Sequence, residues 1–260
     1  MTRPLPWPLR VPAICPPGAE PVAHAAGPVG LLVLHGFTGS PWEVRPLCDA
    51  AVALGWSVAC PVLPGHATTV QALDAARWQD WLQAAEIAHG WLADRCQTVH
   101  VAGFSMGALL ATVLAERDPV DTQRRMLLLA PAFALGAPQT LLLRTLAKVG
   151  LVRWLGKSDP RLPGGQRPPC YHAVPVAGAG QFLALLDHVA CQPRKVAGPI
   201  LHLHGDADRT IDCKLASRVL DRMVIGQVQR QVVRGGHLLL RDHCADTVLE
   251  TAIAFLSPRV

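Results

Sequence analysis

Charge is scarce in this 260-residue chain: 17% of its residues are Asp, Glu, Lys or Arg. The balance is +5 with histidine neutral, yet the basic residues are dispersed. A nucleic-acid surface needs Lys and Arg clustered into a stripe, so that class of partner is excluded. Aromatic residues are few, at 5% with a single tyrosine. No window holds the ~20 uninterrupted apolar residues of a membrane span, so no stable membrane insertion is expected. The eight cysteines include no C-x-x-C pair and no metal-ligand spacing. Such scatter reads as small apolar core residues in a reducing compartment. Prolines break residues 1–18 before a signal-peptide core of ~7–15 apolar residues can form. H-E-x-x-H and the phosphate-binding loop are both missing, which leaves no reason to expect a metal or other cofactor. These absences together point to a cytoplasmic location.

Apolar residues are abundant, making up half of the chain. That is enough for a sizeable core in one domain. Short runs rich in Val and Leu alternate with longer helical patterns, the signature of an α/β fold with a mostly parallel central sheet and helices on both faces. Strands are expected at residues 30–35, 56–62, 98–103, 125–130, 200–204 and 228–234. Helices are expected at residues 42–54, 77–94, 105–116, 212–223 and 242–256. The proline-rich residues 1–28 suit one or two edge strands. Residues 132–179 break the rhythm with a Leu-rich helical piece, a Pro/Gly patch and no clear strand. A connection of that length inside a compact domain reads as a functional insertion, here a small cap or lid. The whole chain, 1–260, is thus one domain with one insertion.

The strongest local signal is Gly103-Phe104-Ser105-Met106-Gly107, set between an apolar strand and a helix. A serine wedged there must sit on a sharp, strained turn. The glycines on either side, Gly103 and Gly107, remove Cβ atoms that would clash. Such a turn pushes the hydroxyl above the sheet, beside a helix N-terminus that favours negative charge. A serine nucleophile needs a base, and the base needs an orienting acid. After the strand at 200–204, Asp206 and Asp208 compete for the acid. Asp206 follows Gly205 directly and suits a turn or cap. Asp208 lies further along the loop, where it can fold back toward the sheet. After the strand at 228–234, Gly235 and Gly236 precede His237, which stands where the order Ser, Asp, His requires the base. His243 is the alternative, although it suits the start of the last helix. Two oxyanion donors are also needed: the N–H of Met106, directly after the nucleophile, and that of Phe37, where Gly36 lets the first loop bend.

Together these pieces resemble the α/β-hydrolase superfamily, in particular its bacterial carboxylesterase and monoacylglycerol lipase branch. His35-Gly36-Phe37-Thr38-Gly39-Ser40 matches the H-G-F-T-G-S/N loop, and Pro61 to His66 matches P-x-x-x-G-H. Trp78 to Trp81 and Tyr171 to Pro175 also look familial, and the likeness runs from Gly30 to Leu256. It implies the α/β-hydrolase fold, with Ser105 as nucleophile, Asp208 as acid in H-G-x-x-D-x-x-V/I and His237 as base. Ala67 and Ala108 replace glycines common in the branch, and the insertion aligns weakly apart from Tyr171 and Pro175.

The resemblance implies a serine hydrolase acting on a small-molecule ester with an apolar acyl group. A thioesterase, lactonase or acyltransferase would use the same triad, and a non-catalytic binding protein on this scaffold is a further reading. In the insertion, Arg144 with Lys148, and Arg153 with Lys157, stand one helical turn apart beside leucines, valines and Trp154. This pattern fits either a cap that touches lipid transiently or a cap helix packed on the core with its basic residues in solvent.

Overall fold

A computed structural model describes residues 4–117, 124–149, 151–157, 162–191 and 196–257. In chain order the elements are β1 (Val22–His24), β2 (Val29–Leu34), α1 (Arg45–Ala53), β3 (Ser57–Cys60), α2 (Val70–Ala75), α3 (Trp78–Ala93), β4 (Thr98–Phe104), α4 (Met106–Arg117) and β5 (Met126–Leu129). There follow α5 (Ala137–Val149), β6 (Trp154–Gly156), β7 (Ala173–Pro175), α6 (Val176–Cys191), β8 (Val196–Ala197), β9 (Ile200–Gly205), α7 (Cys213–Met223), β10 (Val224–Ile225), β11 (Val228–Val233) and α8 (Ala245–Leu256).

Seven strands form one sheet in the order β1-β3-β2-β4-β5-β9-β11. β1 runs antiparallel to β3, and every other pairing in this sheet is parallel. The mostly parallel sheet is the expected one, and β1 is the edge strand anticipated in the N-terminal region. Val62 N–H donates to Pro8 O, which ties the proline-rich start to the segment after β3.

The sheet is covered on both faces, as its continuous apolar strands require. Along β2, Leu31 and Val33 face one core with residues of α1 and α8. Leu32 and Leu34 face the opposite core with residues of α3, α4, α6 and α7. This is the two-residue alternation of a strand placed between two helical layers. Helix α4 is buried from Met106 through Ala115, as suits a helix apolar on all sides.

The segment between β5 and β9 departs from expectation. Residues 132–179 contain a strand pair after all: β6 runs antiparallel to β7, with Leu155 opposite Val174. Three-residue strands are too short to show a period of two, so their sequence gave no signal. Helix α6 begins at Val176, inside the segment read as insertion. Its glycines and alanines obscured a buried face of Phe182, Leu185 and Val189. The short helix α2 and the β8–β10 pair were likewise not anticipated.

The Arg144 guanidinium forms a two-pronged ion pair with Asp187 of α6, one prong at 2.8 Å. Lys157 Nζ donates to Thr38 Oγ1 at 2.7 Å. Arg144 is thus paired at the surface with its side chain 40% exposed, as a packed cap helix with solvated basic residues would have it, whereas Lys157 follows strand β6, not a second helical turn, and turns toward Thr38. The side chain of Lys148 lies outside the described residues. Tyr171 joins the same segment to the loop after β3: its hydroxyl donates to Gly65 O and accepts from Thr68 N–H. Tyr171→Phe removes both bonds and leaves two backbone groups partly unsatisfied. The expected cost is about 1–2 kcal/mol, a Tm lower by roughly 3–6 °C. Thermal melts of the two proteins check this.

Candidate active site

Ser105 links β4 to α4 with φ +53°, the left-handed region that residues with a Cβ enter only under strain. Hydrogen bonds hold it there. Its N–H donates to Leu129 O at 2.9 Å, and its carbonyl accepts from Ala108 N–H at 3.1 Å and Ala132 N–H at 3.2 Å. The flanking glycines are sterically required. A Cβ on Gly103 would stand 2.4 Å from Gly107 O, and one on Gly107 would stand 2.2 Å from Leu34 O. The turn leaves Ser105 8% exposed at the floor of a cavity.

Two loops bring the partners in. His237, in the loop after β11, places Nε2 3.1 Å from Ser105 Oγ. Its Nδ1 lies 2.7 Å from Asp208 Oδ2. The second oxygen, Asp208 Oδ1, accepts from Thr210 N–H at 2.7 Å and Ile211 N–H at 3.0 Å. With an acceptor beside Nδ1, the ring proton belongs there and Nε2 is free to accept from the serine. Gly235 and Gly236 carry ordinary backbone angles, so close packing, and not a left-handed turn, explains glycine here. A Cβ on Gly235 would stand 2.6 Å from Cys244 Sγ. Asp206 is the turn residue, accepting from Gly235 N–H at 3.1 Å. His243 is exposed at the entry to α8, apart from the chain formed by Ser105, His237 and Asp208.

Burial would raise the Asp208 pKa, but hydrogen bonds from His204 and His237 outweigh it and hold the carboxyl well below the usual range. Asp208 is thus a fixed negative charge facing His237. Glu43 runs the other way, its carboxyl pushed up by burial in spite of Lys157 and the Gly36 N–H nearby.

Met106 opens α4, where the helix supplies no carbonyl for its N–H. Phe37 lies on the loop after β2, followed by Thr38 at φ +61°. Glu43 Oε2 accepts from Gly36 N–H at 3.0 Å, which braces the same loop from below. The Phe37 ring stacks on Phe182 with centroids 5.3 Å apart and planes 12° apart, so its side chain is wall packing.

The cavity above Ser105 measures about 800 Å³. Phe37, Leu135, Leu162 and Phe182 supply apolar wall, while Thr38, Glu43, Lys157 and Asp242 form a polar flank. Sequence reading did not single out Glu43 or Asp242, and placed Lys157 in solvent. The only hint for Glu43 was its position three residues after Ser40. Among the described residues, one group, His202, His204 and Cys213, brings donor atoms within 4.8 Å of one another. His202 Nε2 and His204 Nδ1 share a hydrogen bond of 3.2 Å, while His202 Nδ1 is buried without a partner among the described residues.

The pattern of the family described as serine aminopeptidase, S33, matches residues 29–243. This chain belongs to that family. It is 30% identical over 249 residues to a thermostable monoacylglycerol lipase of Bacillus sp. (strain H-257), covering 92% of this chain and 95% of the relative. A solved structure of metagenome-derived lipolytic enzymes, LipS and LipT, superposes with TM-score 0.84 at 26% identity, over 93% of this chain and 98% of that one. The fold is shared with Saccharomyces cerevisiae monoglyceride lipase at TM-score 0.72, 15% identity and 98% coverage of both chains. The α/β-hydrolase fold and the branch suggested by the motifs are both borne out.

Three buried histidines should make the fold of this S33 hydrolase acid-sensitive. Burial lowers His35 to about 4 and His66 well below its ordinary value. Burial, then repulsion from His204 and Arg230, lowers His202 to about 3. These groups protonate when unfolded, near pH 6.5, but not when folded. Between about pH 6.5 and 4 the unfolded state therefore binds more protons, and stability falls as pH falls. Denaturant midpoints should drop from pH 7 to pH 5; the raised carboxyl of Glu43 works the other way, since the folded state keeps its proton above the free value, but three histidines outweigh one carboxyl. The slope is up to about 1.4 kcal/mol per pH unit for each histidine. A flat profile over that interval contradicts the assignment.

Proposed function

We propose that the protein is a serine carboxylic-ester hydrolase acting on small esters with an apolar acyl group, of the carboxylesterase or monoacylglycerol lipase type. The observation that carries this reading is the unbroken chain from Ser105 Oγ through His237 to Asp208 at the floor of a cavity with an apolar wall. Ser105 is the nucleophile, His237 the general base and then acid, and Asp208 the group that sets the tautomer of His237. The N–H groups of Phe37 and Met106 stabilise the oxyanion. Oγ attacks the ester carbonyl while His237 takes its proton, and the alcohol leaves with that proton. Water, activated by the same imidazole, then releases the acid and restores Ser105. The family description names aminopeptidases, and amides pass through the same acyl-enzyme. Esters are favoured by the printed activities of the relatives, a monoacylglycerol lipase and lipolytic enzymes.

Ser105→Ala should lower turnover of p-nitrophenyl butyrate by on the order of 10⁶ with the fold retained. Circular dichroism alongside the rate assay checks both. A folded mutant that keeps its turnover and fails to differ from wild type in labelling by a fluorophosphonate sinks the reading.

Residues 132–179 serve in this reading as a cap on a single domain, 1–260. Leu135, Lys157, Leu162 and Cys170 of this segment line the cavity above Ser105, which supports it. On the outside, Leu141 is 69% and Leu151 85% exposed, which favours transient contact of the cap with lipid. Leu141→Ser with Leu151→Ser should leave turnover of dissolved p-nitrophenyl butyrate unchanged and slow hydrolysis of emulsified monoacylglycerol. Equal rates on the emulsion argue against lipid contact. No helix among the described residues is long and apolar enough to cross a membrane. All eight cysteines are free thiols, which supports a cytoplasmic location.

A further inference from the structure

Asp208 serves two histidines. Its Oδ2 receives His237 Nδ1 at 2.7 Å, and His204 Nε2 lies 3.3 Å from the same oxygen. The His204 and Asp208 side chains are each 1% exposed. His204 Nε2 is also 3.2 Å from Ile211 O. Both neighbours of that nitrogen are acceptors, so it must carry a proton. On the other edge of the ring, His204 Nδ1 is 3.2 Å from His202 Nε2. His202 Nδ1 is buried with no hydrogen-bond partner among the described residues. An unpaired buried donor is rarer than an unpaired acceptor, which puts the His202 proton on Nε2, donating to His204.

We propose that His204 is a positioning residue for the catalytic acid, its tautomer set by His202, so that two arms of hydrogen bonds converge on Asp208. This rests on the serine-hydrolase reading. One arm runs from Ser105 through His237, the other from His202 through His204. The second arm shares the charge of Oδ2, so the carboxylate cannot swing toward His237 or rotate away from it. Were His202 unable to donate, His204 could move its proton to Nδ1, and Nε2 would then face two acceptors with a lone pair. The other groups around this arm are Arg230 of β11, which faces His202, and Asp212 and Cys213 at the start of α7.

The test compares wild type, His204→Leu, His204→Gln, His202→Leu and Ser105→Ala on p-nitrophenyl butyrate across a pH series, with proton NMR of the His237–Asp208 hydrogen bond. In His204→Leu, kcat should fall roughly ten- to a hundredfold with KM unchanged. Loss of a donor makes Asp208 a stronger base, which favours the imidazolium of His237. The acid limb of kcat/KM therefore moves to higher pH and the low-field imidazole proton resonance shifts. Glutamine can place its amide nitrogen near the position of Nε2, so His204→Gln should recover most of kcat and the wild-type limb. His202→Leu should change both readouts in the same direction, by less. A folded His204→Leu protein with wild-type kcat and pH profile overturns the proposal, as does a glutamine variant no better than leucine, which means packing alone. If His204→Leu does not fold, His202→Leu decides: an unmoved limb and resonance overturn the proposal. Failure of the serine-hydrolase reading is distinct, because Ser105→Ala would then retain turnover.

Discussion

The contact on which the site depends is the approach of the α4 N-terminus to the end of β2. At Gly107 the distance from a notional Cβ to Leu34 O is 2.2 Å, so a side chain of any kind would push the helix off the sheet. With glycine there, Ser105 can be held at positive φ between two strands, and its hydroxyl stands clear of the backbone. The strain at one residue is small beside the burial of α4 that follows from it. A helix buried along ten consecutive residues gives the turn a rigid support.

Electrostatics then separates the roles of similar side chains. Asp208 and Glu43 both lie within reach of the cavity floor, and burial opposes the charge on each. Asp208 receives N–H donors from two histidines and two backbone amides, which keeps it ionised. Glu43 has one backbone donor and a more distant lysine, and its carboxyl is raised. One carboxylate is thereby suited to hold an imidazole, and the other to brace the loop that carries Phe37. His35 and His66 occupy the same side of the site in an edge-on aromatic contact, with ring centroids 5.0 Å apart. Their aversion to charge links the integrity of this loop to pH.

Much of the frame was legible because its signals are local. Short apolar runs marked all six strands that pair in parallel within two residues of their bounds, with β3 and β5 shorter than expected at both ends. A serine between glycines, placed between strand and helix, could be read without knowing what lay beside it. What escaped were elements stabilised mainly by partners distant in sequence. β6 and β7 are three residues each and hold together across a long connection. Helix α6 has a composition that suggests loop, and packing on α2, α4 and α5 makes it helix. Arg144 with Lys148, and Arg153 with Lys157, stand at helical spacing, but Asp187 and Thr38 come to meet Arg144 and Lys157 only in three dimensions.

The expected order along the chain, nucleophile then acid then base, was readable from sequence, because each candidate follows a strand end marked by glycine. The choice between Asp206 and Asp208 leaned on family resemblance, and only the tertiary structure separates the two by what they touch. Two residues along one loop separate a side chain tied to Gly235 from one that reaches His237. The same is true of the second arm on Asp208. His202 and His204 read as two of eleven histidines in an apolar strand. Their neighbours along the strand are leucines, whereas His204 meets Asp208 in space. Periodicity can state which face of a strand a residue takes, but hydrogen-bond direction depends on atoms from loops that only the fold brings together.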